Sequence, residues 1–173
     1  MDTVQSAFEL FMKPNILETI LKLTNKEGTI TYGDKWVNID MGELQCFIGL
    51  LILAGVYKAH NEGITHLWNK EDGRPIFNKS MSRNRFTQLS RCLRFDDAEQ
   101  RRKNRSPDKL SPIRDVFDAW VSTLQDAYVA GGNITIDEQL VSFRGRCPFR
   151  QYLPSKPGKF YFGQRVIVKH PMI

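Results

Sequence analysis

One carboxylate stands where chemistry could be done. In Ile134-Thr135-Ile136-Asp137-Glu138-Gln139-Leu140 the three residues before the acid are β-branched, which favours an extended strand. Alternation then sets Ile134 and Ile136 on one face and Thr135 and Asp137 on the other, with the carboxylate at the end of a partly buried strand. Arg144, Arg146 and Arg150 follow in Phe143-Arg144-Gly145-Arg146-Cys147-Pro148-Phe149-Arg150, and Lys156 and Lys159 lie in and just after Tyr152-Leu153-Pro154-Ser155-Lys156-Pro157. A carboxylate metal ligand beside an anion-binding rim is what phosphoryl transfer requires. A solvated surface Asp balanced by nearby arginines is the alternative, and spacing alone leaves both open.

Charge is unevenly distributed. Residues 134–173 carry seven Lys/Arg against two acids, a net of +5 in a chain of +6 overall, so the preceding part is close to neutral. Such a basic segment points to a polyanion, of which nucleic acid is the commonest large example. No Asp or Glu occurs after Glu138, and Glu138 itself is a poor co-ligand because neighbours on a strand face opposite ways. Cys46, Cys92 and Cys147 are widely spaced and read as free thiols rather than a disulfide or zinc framework. His60 and His66 lack metal-ligand spacing and read as structural or surface residues. No signal-like segment is visible, and the most apolar stretch, 46–56, is too short to span a bilayer, so no membrane partner is expected.

The elements that position the carboxylate read as helices. Segments 4–12 and 15–26 are separated by Pro14, with Gly28 expected to end the second and 29–39 expected to be short and extended. Asp40 and Glu43 form a capping-box pattern ahead of a helix over 41–57 that is apolar almost all round, hence central and buried. Gly73-Arg74-Pro75 reads as a turn. Ser80 or Ser82 caps a helix running to about Phe95, whose polar face carries Arg83, Arg85, Arg91 and Arg94. That face either tracks a phosphate backbone or is simply solvated. Residues 96–111 read as a loop, with a basic cluster at 101–105 that could serve nuclear import or DNA contact. Ser111 and Pro112 look like N-cap and N1 of a last amphipathic helix, which Gly131-Gly132 would end. Phe160–Val168 is again β-prone.

The motifs Thr135–Leu140, Phe143–Arg150 and Pro154–Pro157 closely resemble the piggyBac transposase family and its domesticated derivatives. Phe8-Glu9-Leu10-Phe11, Met81–Phe86, Arg91–Asp97 and Ser111–Arg114 extend the resemblance upstream, to roughly residues 8–159; Phe160–Arg165 departs from the family pattern. The resemblance implies a mainly α chain: a helical dimerisation and DNA-binding region over 1–132, then, over 133–173, the truncated β-strand start of an RNase H-like α/β catalytic domain. It makes Asp137 the first of three catalytic aspartates, which in full-length relatives hold Mg²⁺ to activate water or a DNA 3′ hydroxyl. The other two lie downstream in the family and are missing here, as is its C-terminal cysteine-rich zinc module, so the metal site is incomplete and no ion is expected to bind stably.

Three functions follow as expectations. One is a DNA-binding or oligomerising remnant without transposition activity by itself. Its partners would be double-stranded DNA, bound weakly and without specificity, and a second copy or a full-length relative. Another is the N-terminal part of an active transposase whose remaining carboxylates lie elsewhere. The last is a protein-interaction domain, or a decaying copy without DNA function. A nuclear location is expected from the resemblance.

Overall fold

The computed structural model describes residues 3–104, 108, 110–127, 135–142 and 150–168. Eight α-helices in this part precede three strands: α1 Val4–Phe11, α2 Pro14–Tyr32, α3 Met41–Val56, α4 Ile64–Leu67, α5 Pro75–Ser80, α6 Arg83–Cys92, α7 Ala98–Asn104, α8 Arg114–Ala127, then β1 Thr135–Ser142, β2 Gln151–Tyr152 and β3 Phe160–Val168. The chain is thus mainly helical.

Local chemistry explains most starts and stops. Thr3 and Ser6 close a reciprocal capping box on α1, and Pro14 opens α2 at a position where its missing N–H costs nothing. The Asp40 carboxylate accepts from Glu43 N at 2.8 Å, and the Ser82 hydroxyl accepts from Arg85 N at 3.2 Å. The expected box at Asp40 is half made, because the Glu43 side chain turns away to Arg85.

The helical core is an aromatic cluster walled by aliphatics. Trp68 lies 5.0 Å from Phe77 and 4.7 Å from Phe86, which is 5.1 Å from Phe47, ring centre to ring centre. Phe47, Phe77, Leu44 and Leu89 are fully buried, and Ile16, Leu17 and Ile20 bring the face of α2 onto them. The Trp68 indole N–H donates to Met81 O at 2.8 Å, so the one polar atom of that ring is satisfied inside the core. Truncating such side chains to Ala costs about 2–5 kcal/mol each.

Several expectations are corrected here. The second helix does not stop at Gly28 but continues to Tyr32, and a 3-10 turn over Gly33–Lys35 replaces the extended segment expected from residue 29. Gly28 is used for its missing side chain, since a Cβ there would fall inside the Trp36 indole. α3 is buried only through Leu44, Phe47 and Leu50; Leu51, Ile52 and Val56 are exposed among the described residues. The chain bends ahead of the Gly73-Arg74-Pro75 turn, and Pro75 opens the short helix α5. Residues 98–104, read as loop, are α7, started by Asp97, whose carboxylate accepts from Glu99 N at 2.9 Å. A turn over 110–113 precedes α8 where Ser111 and Pro112 were expected to start it, and the expected stop at Gly131-Gly132 lies outside the described residues.

The strands form one antiparallel sheet in the order β1-β3-β2. β1 pairs with β3 from Thr135↔Val168 to Ser142↔Tyr161, setting Asp137 opposite Val166. Asp137 is therefore not at a strand end, since β1 runs on to Ser142. β2 and β3 are joined by a tight turn in which Leu153 N donates to Lys159 O at 2.7 Å and Lys156 N to Leu153 O at 3.1 Å. The expected division at residues 132 and 133 lies outside the described residues.

Gly28→Ala tests the seating of Trp36. Helix propensity alone would favour Ala by about 1 kcal/mol, but the clash is expected to reverse the sign and lower stability by ~1–3 kcal/mol. Urea unfolding read by tryptophan fluorescence measures it.

Candidate nucleic-acid interface

The basic side chains divide into those the fold consumes and those it leaves in water. Arg85 belongs to the first group. Its Nε donates to Glu43 Oε1 at 2.6 Å, and its Nη2 to Glu43 Oε2 and to Val37 O, both at 2.8 Å. Its guanidinium also lies 4.9 Å from the centre of the Trp36 ring. The hydrogen bonds to Glu43 hold its proton more tightly than in a free guanidinium. Arg94 is held likewise: its Nη2 donates to Glu27 Oε1 at 2.8 Å and its Nη1 to Leu93 O and Arg91 O, covering the end of α6. Arg83 and Arg91, on the same helix, are exposed. The four arginines read as one face of α6 are thus two structural clamps and two solvent-facing cations.

The basic cluster at 101–105 is largely compensated. Both oxygens of Asp96 accept from Arg101, at 2.7 and 2.6 Å, and Lys103 pairs with Glu99 at 3.0 Å. Arg105 lies outside the described residues. A groove of about 620 Å³ between α2 and this segment sets four cations, Lys26, Arg94, Arg101 and Arg102, among four carboxylates, Glu27, Asp96, Asp97 and Glu99. Its charges balance, so it offers no net pull on a polyanion.

The β2–β3 hairpin differs. Arg150, Lys156 and Lys159 are exposed, and the Arg150 guanidinium lies 4.5 Å from the centre of the Phe160 ring. Lys159 adopts a left-handed backbone, φ 57, in the turn that joins the two strands. Arg144 and Arg146 lie outside the described residues. The structure therefore places Arg83 on α6 and Arg150, Lys156 and Lys159 on the hairpin as solvent-facing cations, and takes Arg85 into the protein.

Asp137 sits in β1, paired through its backbone to Val166. Among the described residues, no three His, Cys, Asp or Glu side chains come together as a metal site. His66 instead pairs with Glu62 at 3.1 Å, beside the two bonds Glu62 accepts from Arg74; the Arg74 bonds and the His66 bond hold the Glu62 carboxyl down at about 2. The His60 side chain lies outside the described set. Burial pushes the Cys46 and Cys92 thiols above the ordinary cysteine range, which makes them poor nucleophiles. Cys147 lies outside the described residues. No helix among the described residues is long and apolar enough to cross a membrane.

A largely helical unit followed by an antiparallel strand pair carrying an acid, with a basic hairpin beside it, is the context in which the family comparison falls. The family model described as transposase IS4 matches residues 3–170, and the chain belongs to that family. Among solved structures it is similar to a piggyBac transposase in a synaptic complex with hairpin DNA, at 33% identity and a TM-score of 0.85 over 94% of this chain. The match takes in 35% of that transposase chain, so the present sequence spans about a third of its length. The piggyBac relationship suggested by the motifs is thereby shown.

The Glu43–Arg85 pair was not foreseen as a pair. Its two members are 42 residues apart and only the crossing of α3 and α6 joins them. Arg85→Ala is expected to lower stability by ~1–3 kcal/mol, between the surface and fully buried cases of a broken ion pair, whereas Arg83→Ala should change it by less than about 0.5 kcal/mol. Thermal or urea unfolding of the two variants separates a clamp from a solvated cation.

Proposed function

We propose that these residues are a DNA-binding portion of a piggyBac-type transposase, contributing one carboxylate, Asp137, to a metal-dependent phosphoryl-transfer site, and that alone they bind DNA without cutting it. The observation that carries this reading is the fold match across 94% of the chain to a transposase solved with DNA. The antiparallel pairing of β1 with β3 supports the reading of 133–173 as the start of an RNase H-like domain and of 1–132 as a helical unit. Exposed Arg150, Lys156 and Lys159, in a segment without any acid after Glu138, supply the attraction for phosphate. Arg144 and Arg146 would add to it, and Arg83 extends it on α6. Double-stranded DNA is the partner, and a nuclear location goes with it.

Among the described residues no set of carboxylates makes a magnesium site. Mg²⁺ gives up its waters reluctantly and needs several anionic ligands at close to octahedral angles. Asp137 is one carboxylate, Glu138 is its neighbour on β1, and residues 139–173 contain no acid. Catalysis would need carboxylates from other sequence or another chain. The Asp137 carboxylate carries the same sign of charge as phosphate and mildly opposes it.

A second reading, a protein-docking or dimerising domain, is favoured by one observation: Ile52 and Val56 on α3 are 53% and 67% exposed, an uncommon use of a helix otherwise built for a core. Sedimentation of the chain tests self-association, and a monomer at all concentrations would remove the homodimer from this reading.

DNA affinity is expected to fall with salt at a log–log slope of about −0.9 per phosphate neutralised. Lys156→Gln with Lys159→Gln should reduce that slope by about 1.8. With a transposon-end duplex and Mg²⁺ or Mn²⁺, neither the natural chain nor Asp137→Asn should nick DNA, and Asp137→Asn should bind it equally or slightly better. Nicking that the substitution abolishes would overturn the binding-only reading.

A further inference from the structure

The β2–β3 hairpin carries a feature that phosphate attraction does not explain. Tyr152 and Phe160 are direct cross-strand partners, their rings lie 5.1 Å apart and tilted by 46°, and they are 56% and 37% exposed. Arg150 covers Phe160 with its guanidinium at 4.5 Å. The three side chains thus form a short stack, Arg150 on Phe160 and Phe160 against Tyr152. We propose that Tyr152 is a stacking platform for an unpaired DNA base, with Lys156 and Lys159 holding the strand that carries it.

The argument runs from the chemistry of the three groups. An exposed aromatic pair between the two-residue β2 and the first residue of β3 adds little to a core, yet presents a flat, polarisable surface. A ring already in contact with a cation-capped ring is ordered before any ligand arrives, so little rotamer entropy is lost on binding. The turn is equally fixed. Lys159 takes a left-handed φ of 57, and its N–H donates to Lys156 O at 3.1 Å while its carbonyl accepts from Leu153 N. Exposed aromatics interleaved with lysines, in a segment without carboxylates, match a polyanion bearing π faces: a nucleic-acid strand with bases turned outward. Paired bases in a duplex hide those faces between their neighbours, and exposing one costs a few kcal/mol. The platform therefore selects DNA in which a base is already free: a bulge, a mismatch, a hairpin tip or a strand end.

This inference rests on the DNA-binding reading, and the test keeps the two apart. The probes are two labelled duplexes, one fully paired and one with a single bulged 2-aminopurine, titrated with the full chain. The bulged duplex should bind more tightly, and its 2-aminopurine fluorescence should be quenched by stacking. Tyr152→Leu, which keeps bulk without a π face, should weaken bulge binding by roughly 5- to 150-fold and remove the quench, while leaving the paired duplex unchanged. Tyr152→Phe should restore both. Equal affinity for the two duplexes, or a loss in Tyr152→Leu of the same size on both, would overturn the platform while the DNA reading stood. Binding to neither duplex would overturn both.

Discussion

Trp36 sits on the bare backbone of Gly28, and much of the helical unit is arranged around that contact. The ring stacks on Tyr32 at 5.9 Å and donates its indole N–H to Asn25 Oδ1 at 3.2 Å. The same Asn25 oxygen accepts from Ile39 N at 2.8 Å, and the Asn25 amide donates to Ile39 O at 3.0 Å. Arg85 closes the other side, over the ring and onto Glu43 and Val37 O. One indole thereby joins α2, the segment leading to α3, the first turn of α3 and α6. A partly buried polar network of this kind is stable only when every member is satisfied, and no described buried side-chain nitrogen or oxygen lacks a partner.

The same economy decides which cations remain available to a ligand. An arginine committed to a bidentate carboxylate has its fork filled, and withdrawing it leaves a shielded negative charge behind. Arg85 is committed in this way to Glu43, while Arg94 gives one bond to Glu27 and Arg101 gives one nitrogen to both oxygens of Asp96. Among the described helices the arginines thus divide between those held by carboxylates and those, such as Arg83 and Arg91, that face solvent. On the hairpin Arg150, Lys156 and Lys159 are exposed, so their field reaches into solvent.

The exposed apolar stripe on α3 belongs to a different kind of constraint. Leu44, Phe47 and Leu50 satisfy the core, and Leu51, Ile52 and Val56 on the same helix remain in contact with water. Gly49 and Gly55 on that helix have open space where a Cβ would be. Apolar area left exposed on this scale forgoes about 25 cal/mol per Å² that burial would return.

Periodicity and capping chemistry are local, so the sequence alone determined helices from residue 4, from just after Pro14, from Met41 and from Ser80 or Ser82 onward, and a strand that carries Asp137; the structure took Pro14 itself into α2 and chose Ser82 as the cap. Its ordered motifs were also sufficient to recognise the family, since they depend on residue identity and order rather than on contacts. The tertiary structure decided whatever depends on a partner distant in sequence. Gly28 looked like a helix stop because glycine lowers helix propensity, yet Trp36 requires its missing side chain and α2 runs on to Tyr32. Arg83 and Arg85 were indistinguishable on one polar face until the crossing of α3 set Glu43 beside one of them. Tyr152 and Phe160 were separate aromatics eight positions apart until the β2–β3 register made them neighbours. Local patterns report what a segment prefers; charge pairing, close packing and stacking are settled only when the segments meet.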